Sequence, residues 1–130
     1  MARILVDTDI LIDFLRGTRR ATDFVGNEAL PLTISAITAA ELYAGIRDGT
    51  ERTALERMLL ASDVLPIDSD VAKLGGLYRR DFGKSHGVGL PDALIAATAS
   101  IHNLALATLN RKHYPMLENV VTPYRPPRSY

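Results

Sequence analysis

Apolar positions along the chain follow two alternating rhythms. Short β-branched or leucine-rich runs read as buried strands at residues 3–7 (RILVD), 31–35 (PLTIS), 63–67 (DVLPI), 104–108 (LALAT) and 119–122 (NVVT). Between them the spacing lengthens to that of helices. Residues 9–17 place Ile10, Leu11, Phe14 and Leu15 on one face. Further helices are predicted over 18–27, 37–48, 50–62, 70–82 and 91–102. Gly49 separates the third from the fourth, and Pro91 suits a first helical turn. Pro66 marks its strand as an edge, because proline cannot donate to an interior ladder. Residues 83–90 hold three glycines and are expected to form a loop. Residues 110–117 read as a short helix containing Pro115, and 123–130 (PYRPPRSY) as a tail too rich in proline to fold alone.

Strands alternating with helices imply βαβ crossovers. The expected fold class is α/β, three-layer α/β/α, with a parallel central sheet of about five strands. No repeat or linker divides the sequence, so 1–130 is expected to be a single domain. Open parallel sheets bind ligands beyond the carboxyl ends of their strands, where the strand order reverses. Chemistry is therefore to be sought just after each strand.

Composition narrows the chemistry. The 130 residues are 47% hydrophobic, enough for a real core. No apolar run approaches the ~18 residues of a membrane span. Acid at Asp7 comes too early for a signal peptide. A cytoplasmic protein with no membrane association is expected. There is no Cys, which excludes disulfide scaffolds, zinc–thiolate sites and thiol catalysis. Fifteen basic and fifteen acidic residues cancel, so any basic patch must be local. Twelve of the bases are Arg and ten of the acids are Asp. That skew suits phosphate contact and hard-metal ligation, and equally an Arg-preferring genome.

Three carboxylates stand out at the strand ends. Asp7 follows the buried run Ile4-Leu5-Val6, and Asp9 is the better placed of the two to cap the next helix. Glu41 has Ile37, Thr38, Ala44 and Gly45 as helical neighbours, a small or apolar stripe. It is either the end of a capping box begun by Thr38, or a carboxylate that needs a partner. Asp92 opens a helix that is apolar almost all round, 93–101, so its start is aimed at the strand ends. Like charges converging there would repel unless a cation neutralised them. A cluster of hard oxygens without His or Cys suits Mg²⁺ or Mn²⁺, ions that activate water for phosphodiester hydrolysis. No Gly-rich phosphate loop follows the first strand.

In order and spacing, four segments resemble the PIN-domain family, and within it the VapC-like toxin ribonucleases of type II toxin–antitoxin pairs. They are Ile4-Leu-Val-Asp7-Thr-Asp-Ile-Leu-Ile-Asp13, Ile37-Thr-Ala-Ala-Glu41-Leu-Tyr-Ala-Gly45, Leu90-Pro-Asp92-Ala-Leu-Ile-Ala-Ala97, and Ala107-Thr-Leu-Asn110-Arg-Lys-His113-Tyr-Pro-Met-Leu117. The resemblance implies a Mg²⁺-dependent endoribonuclease in which Mn²⁺ can substitute. Its three acids match Asp7, Glu41 and Asp92, with Asp7 and Asp92 holding the metal and Glu41 binding through water or orienting the nucleophile. The family's frequent fourth acid before an aromatic is His113 here, with Asn110 three residues earlier, which puts a second bound ion in doubt. Thr108 ends the fourth strand, and its hydroxyl either supports Asp7 or a metal-bound water or is simply structural. The family's strand order puts the first and fourth strands together at the switch point and the third at an edge, which leaves Asp68 and Asp70 as helix caps.

The resemblance also implies partners: RNA, an antitoxin whose C-terminal segment fills a groove beside the acids, and a second copy of the chain in a homodimer. Leu42, Tyr43 and Ile46 suit a helical contact surface or the core. Arg16, Arg111 and Lys112 lead the candidates for flanking phosphates, followed by Arg19, Arg20, Arg79, Arg80 and Lys84. Asp13 reads as a surface partner of Arg16. His86 reads as a surface residue, and His102 as a partner of the helix dipole. Two alternatives stand beside the nuclease. One is an aspartyl-nucleophile phosphohydrolase built on Asp7-Thr-Asp9. The other is a non-catalytic RNA- or partner-binding domain.

Overall fold

The computed structural model describes residues 3–29 and 31–125. Five short parallel strands form the sheet: β1 (Ile4–Val6), β2 (Thr33–Ser35), β3 (Asp63–Leu65), β4 (Ala105–Ala107) and β5 (Val120–Val121). Their order is β3-β2-β1-β4-β5. In register, Leu5 lies beside Thr33 on one side and Leu106 on the other. The chain builds outward from β1 through β2 to β3, then returns to the other side of β1 for β4 and β5. The order reverses between β1 and β4, and β3 takes the edge that Pro66 foretold.

Six helices cover the sheet: α1 (Thr8–Leu15), α2 (Arg19–Glu28), α3 (Ala36–Gly45), α4 (Thr50–Leu60), α5 (Ser69–His86) and α6 (Leu90–Ile101). Successive strand residues point to opposite faces, and the core divides accordingly. Val6, Ile34 and Ala107 pack with Ile10 and Leu11 of α1, Phe24 and Val25 of α2, Leu42 of α3 and Leu55 of α4. Leu5, Leu65 and Leu106 pack on the other face with Ile95, Ala96 and Ala99 of α6. The result is the expected three layers. Among the described residues, no helix is long and apolar enough to cross a membrane.

Two expected elements differ. The predicted loop over 83–90 is mostly helix, because α5 runs on to His86 and stops at Gly87, which takes the left-handed conformation at φ 65°. Tyr78, Phe82 and His86 stack edge-on at four-residue spacing and carry the helix through Gly83. The predicted helix over 110–117 shrinks to a single 3₁₀ turn, Arg111–His113. Pro115 disfavours helical backbone at Tyr114, which sits at φ −125°, ψ 49°. Of the proline-rich tail, 126–130 lie outside the described residues.

Gly75 permits the close approach of α5 to α6. A Cβ there would lie 2.6 Å from Leu94 Cδ2 and 3.3 Å from Leu94 Cα. That contact seats α6, and with it Asp92, against the sheet.

Candidate active site

β1 ends at Val6, and Asp7 turns the chain into α1. Asp7, rather than Asp9, is the N-cap, because the helix starts at Thr8. Its carboxylate is 5% exposed and fully engaged on one side. Oδ1 accepts from the Thr8 amide at 2.8 Å. Oδ2 accepts from the Thr108 hydroxyl at 2.7 Å and the Tyr114 hydroxyl at 2.9 Å. Thr108, just past β4, is held in turn by the Asn110 amide at 3.0 Å. A carboxylate offers about four acceptor positions, so roughly one remains, on Oδ1. Burial, reinforced by the nearby Asp9 charge, pushes the Asp7 carboxyl from 3.8 up to about 7 against those three hydrogen bonds.

Asp9 straps the two central strand ends together. Its Oδ2 accepts from the Leu109 amide at 3.0 Å and its Oδ1 from the Ile10 amide at 2.8 Å. Burial raises its carboxyl also.

Asp92 stands in the first turn of α6 and faces the segment after β4. Its Oδ2 lies 2.8 Å from His113 Nδ1, and its Oδ1 accepts from the Tyr114 hydroxyl at 3.3 Å. Asn110 Nδ2 lies 3.0 Å from the same His113 nitrogen. Tyr114 therefore touches both Asp7 and Asp92. Its own hydroxyl is held in the neutral form by burial first and by the Asp7 and Asp92 charges next.

Glu41 joins from α3. Ser35 caps that helix, with its hydroxyl accepting from the Ile37 amide at 3.2 Å, so the Thr38–Glu41 capping box does not form. Instead the Thr8 hydroxyl donates to Glu41 Oε1 at 2.8 Å and sits 3.0 Å from the Thr38 hydroxyl. The stripe around Glu41 is less buried than its composition suggested, since Ala44 and Gly45 are exposed. Glu41 lines a groove of about 590 Å³ with Ile12, Leu15, Arg16, Leu42 and Ile46.

Asp7, Glu41 and Asp92 thus belong to one network with Asp7 at its centre. They do not form a finished ligand set: among the described residues, no three His, Asp or Glu side chains are arranged to hold a metal ion. The donor chemistry still fits one. Asp7 and Asp92 offer hard oxygens, and Asp7 keeps an acceptor position that no protein donor fills. A nearby cation would also relieve the burial and repulsion that raise Asp7.

The cationic candidates divide. Arg16 caps the C-terminus of α1 and lines the groove beside Glu41. Lys112 is exposed on the 3₁₀ turn. Arg111 on the same turn is partly committed, because its guanidinium donates to the Val120 carbonyl. Asp13 does not pair with Arg16; it accepts from the Tyr124 hydroxyl at 2.8 Å. Asp68 caps α5 through the Val71 amide, as expected. Leu42 is 3% exposed and belongs to the core, whereas Tyr43 is 41% exposed. Thr8 and Tyr114 join the site through their hydroxyls, although the sequence pattern does not single them out. A tyrosine before proline reads as packing, and only its hydroxyl partners reveal more.

The chain resembles known proteins over most of its length. Residues 4–116 match the PIN domain. The chain is 42% identical over 127 residues to ribonuclease VapC10 of Mycobacterium tuberculosis, covering 95% of each chain. It is 34% identical over 120 residues to ribonuclease VapC1 of Methanocaldococcus jannaschii, covering 90% of this chain and 82% of that one. Among solved structures, a toxin–antitoxin complex from Klebsiella pneumoniae superposes with a TM-score of 0.81 at 33% identity, covering 94% of this chain and 98% of that one. PIN-domain ribonucleases are metal-dependent. The match spans every strand but the last and includes Asp7, Glu41, Asp92 and Tyr114, and the chain belongs to the PIN-domain family, in its VapC-like group.

Proposed function

We propose that the chain is a Mg²⁺-dependent endoribonuclease, with Mn²⁺ able to substitute, and the toxin of a toxin–antitoxin pair. The relatives named as ribonucleases and the structural neighbour named as a toxin–antitoxin complex support this reading. The observation that carries it is the continuous contact path from His113 through Asp92, Tyr114, Asp7 and Thr8 to Glu41.

Asp7 and Asp92 would hold the ion, which when bound supplies positive charge at the scissile phosphate and makes water more acidic. Thr108 fixes Asp7 in place for that task. Glu41 orients the attacking water and accepts its proton. His113 steadies Asp92 through its Nδ1–H, with Asn110 beside it, on the side where the family's fourth acid would stand. Arg16, Arg111 and Lys112 contact phosphates on either side of the cut. The groove beside Glu41, apolar at Ile12, Leu15 and Ile46 and lined also by Arg16, is where an antitoxin segment would lie. A homodimer and a cytoplasmic location follow from the same likeness.

The phosphohydrolase alternative needs a second Asp free to meet a leaving group. Asp9 is instead bound to the Leu109 and Ile10 amides.

The test is cleavage of total RNA with Mg²⁺, with EDTA as control and the cut sites mapped. Asp7→Asn and Asp92→Asn should each abolish cleavage while circular dichroism stays unchanged. Cleavage at the parent rate by either variant would refute the assignment. A parent that neither binds Mg²⁺ or Mn²⁺ nor cuts RNA would point to the non-catalytic binding domain.

A further inference from the structure

The Tyr114 ring is 2% exposed and packs with Leu5, Ile95, Leu106 and Val120. Phenylalanine would fill that space equally well. The hydroxyl is therefore the part that needs a reason. Burying it requires a partner, and both partners it finds are carboxylates: Asp7 Oδ2 at 2.9 Å and Asp92 Oδ1 at 3.3 Å. Asp7 belongs to the turn after β1 and Asp92 to the first turn of α6, so the two have no backbone tie to each other. Among the described residues, no other side chain is hydrogen-bonded to both. With Thr108, Tyr114 also occupies Oδ2 of Asp7 and leaves Oδ1 as the oxygen with an acceptor position to spare.

We propose that Tyr114 is a positioning residue whose hydroxyl sets the separation of Asp7 and Asp92 and presents Oδ1 of Asp7 to a divalent cation. This rests on the metal-dependent reading above. The phenol suits the task because it is neutral and rigid. It separates two like charges with a donor, and its ring is anchored in the core beneath them.

Tyr114→Phe keeps the ring and removes only the hydroxyl. Calorimetric titration with Mn²⁺ should show binding at least tenfold weaker than in the parent, as is usual when a group that orients a ligand is lost. The metal-free variant should still melt cooperatively, with a smaller rise in Tm on adding Mn²⁺. In RNA cleavage the loss should appear mainly as a higher KM for Mn²⁺ and less in kcat. Replacing Tyr114 by 4-aminophenylalanine, which restores a donor, should return Mn²⁺ affinity to within about threefold of the parent's, against the tenfold or greater loss expected of Tyr114→Phe. Equal Mn²⁺ affinity in parent and Tyr114→Phe would overturn this proposal and leave the nuclease intact. So would a Tyr114→Phe protein without a cooperative melt, since the hydroxyl's role would then be structural. A parent that binds no Mn²⁺ would overturn both readings together.

Discussion

Replacing Asp7 by Asn should make the metal-free protein more stable, and the gain should depend on pH. In the folded state burial and Asp9 hold the Asp7 carboxyl at about 7, against 3.8 when exposed. At ~1.4 kcal/mol for each tenfold, that rise is worth about 4 kcal/mol. The sign follows from proton counting. The folded state keeps a proton that the unfolded state releases, so stability falls as pH climbs from about 4 through about 7, and then levels off. Asn carries no charge and escapes that fall. It also loses something, because an amide cannot accept on both sides, and one of the donors from Thr8, Thr108 or Tyr114 is left facing an NH₂ group. That loss is about 1–2 kcal/mol and does not vary with pH. The variant should therefore exceed the parent by about 2–3 kcal/mol at pH 8, and match it or fall slightly below at pH 4.5. Urea unfolding of both proteins in EDTA at the two pH values reads this directly, and taking their difference cancels the titrating groups that do not interact with Asp7, leaving Asp7 and its neighbour Asp9. A gap between variant and parent that is constant from pH 4.5 to 8 would show that Asp7 is an ordinary carboxylate and remove the electrostatic case for a cation beside it. Adding Mn²⁺ at pH 8 should reverse the ranking, because only the parent gains binding energy.

Other outcomes probe the surroundings of that carboxylate. Thr108→Val removes a donor to Asp7 Oδ2 and the acceptor for the Asn110 amide; it should cost about 1–3 kcal/mol in urea unfolding and raise the Asp7 pKa further, as read by carboxyl carbon NMR. Thr8→Val keeps the Thr8 backbone bond to Asp7 but frees Glu41; RNA cleavage should drop by about tenfold with little change in Mn²⁺ affinity, on the usual scale for orienting groups. Gly75→Ala and Gly76→Ala lie on the same helix but should differ in sign: open space beyond Gly76 lets alanine stabilise by about 0.5–1 kcal/mol, whereas the close approach of Leu94 at Gly75 cancels or reverses that gain in thermal melts.

What the sequence made legible follows from how local each signal is. The run Ile4 to Val6 and the apolar stretch after Asp92 declare themselves, because burial on a sheet or between layers demands apolar side chains at every contact, and these segments have them. The edge position of β3 was legible from Pro66 for a similar reason, since a missing donor is a local fact. The structure departs from the local pattern where one nearby residue outweighs it. Gly83 looks like a loop residue until the Tyr78, Phe82 and His86 rings are seen to stack along α5. Residues 110–117 look helical until Pro115 is weighed for its effect on Tyr114. Asp9 is the better cap for a helix that starts at Ile10; because α1 starts at Thr8, Asp7 takes the cap and Asp9 reaches across to Leu109.

The same distinction explains why the three acids could be found and Tyr114 could not. A carboxylate in an apolar stretch is conspicuous in one dimension, because its charge contradicts its neighbours. A tyrosine in an apolar stretch contradicts nothing, since its ring satisfies the packing rule and hides the hydroxyl. Only the fold shows that the hydroxyl ends between two charges rather than in water. The acids bring the charge that a cation would answer. The neutral groups between them, Thr8, Thr108 and Tyr114, decide how far apart those charges stand and which oxygen stays open. If that division of labour holds, substitutions at Asp7 and Asp92 should erase metal binding, those at Thr108 and Tyr114 should grade it, and those at Thr8, which acts through Glu41, should grade cleavage instead.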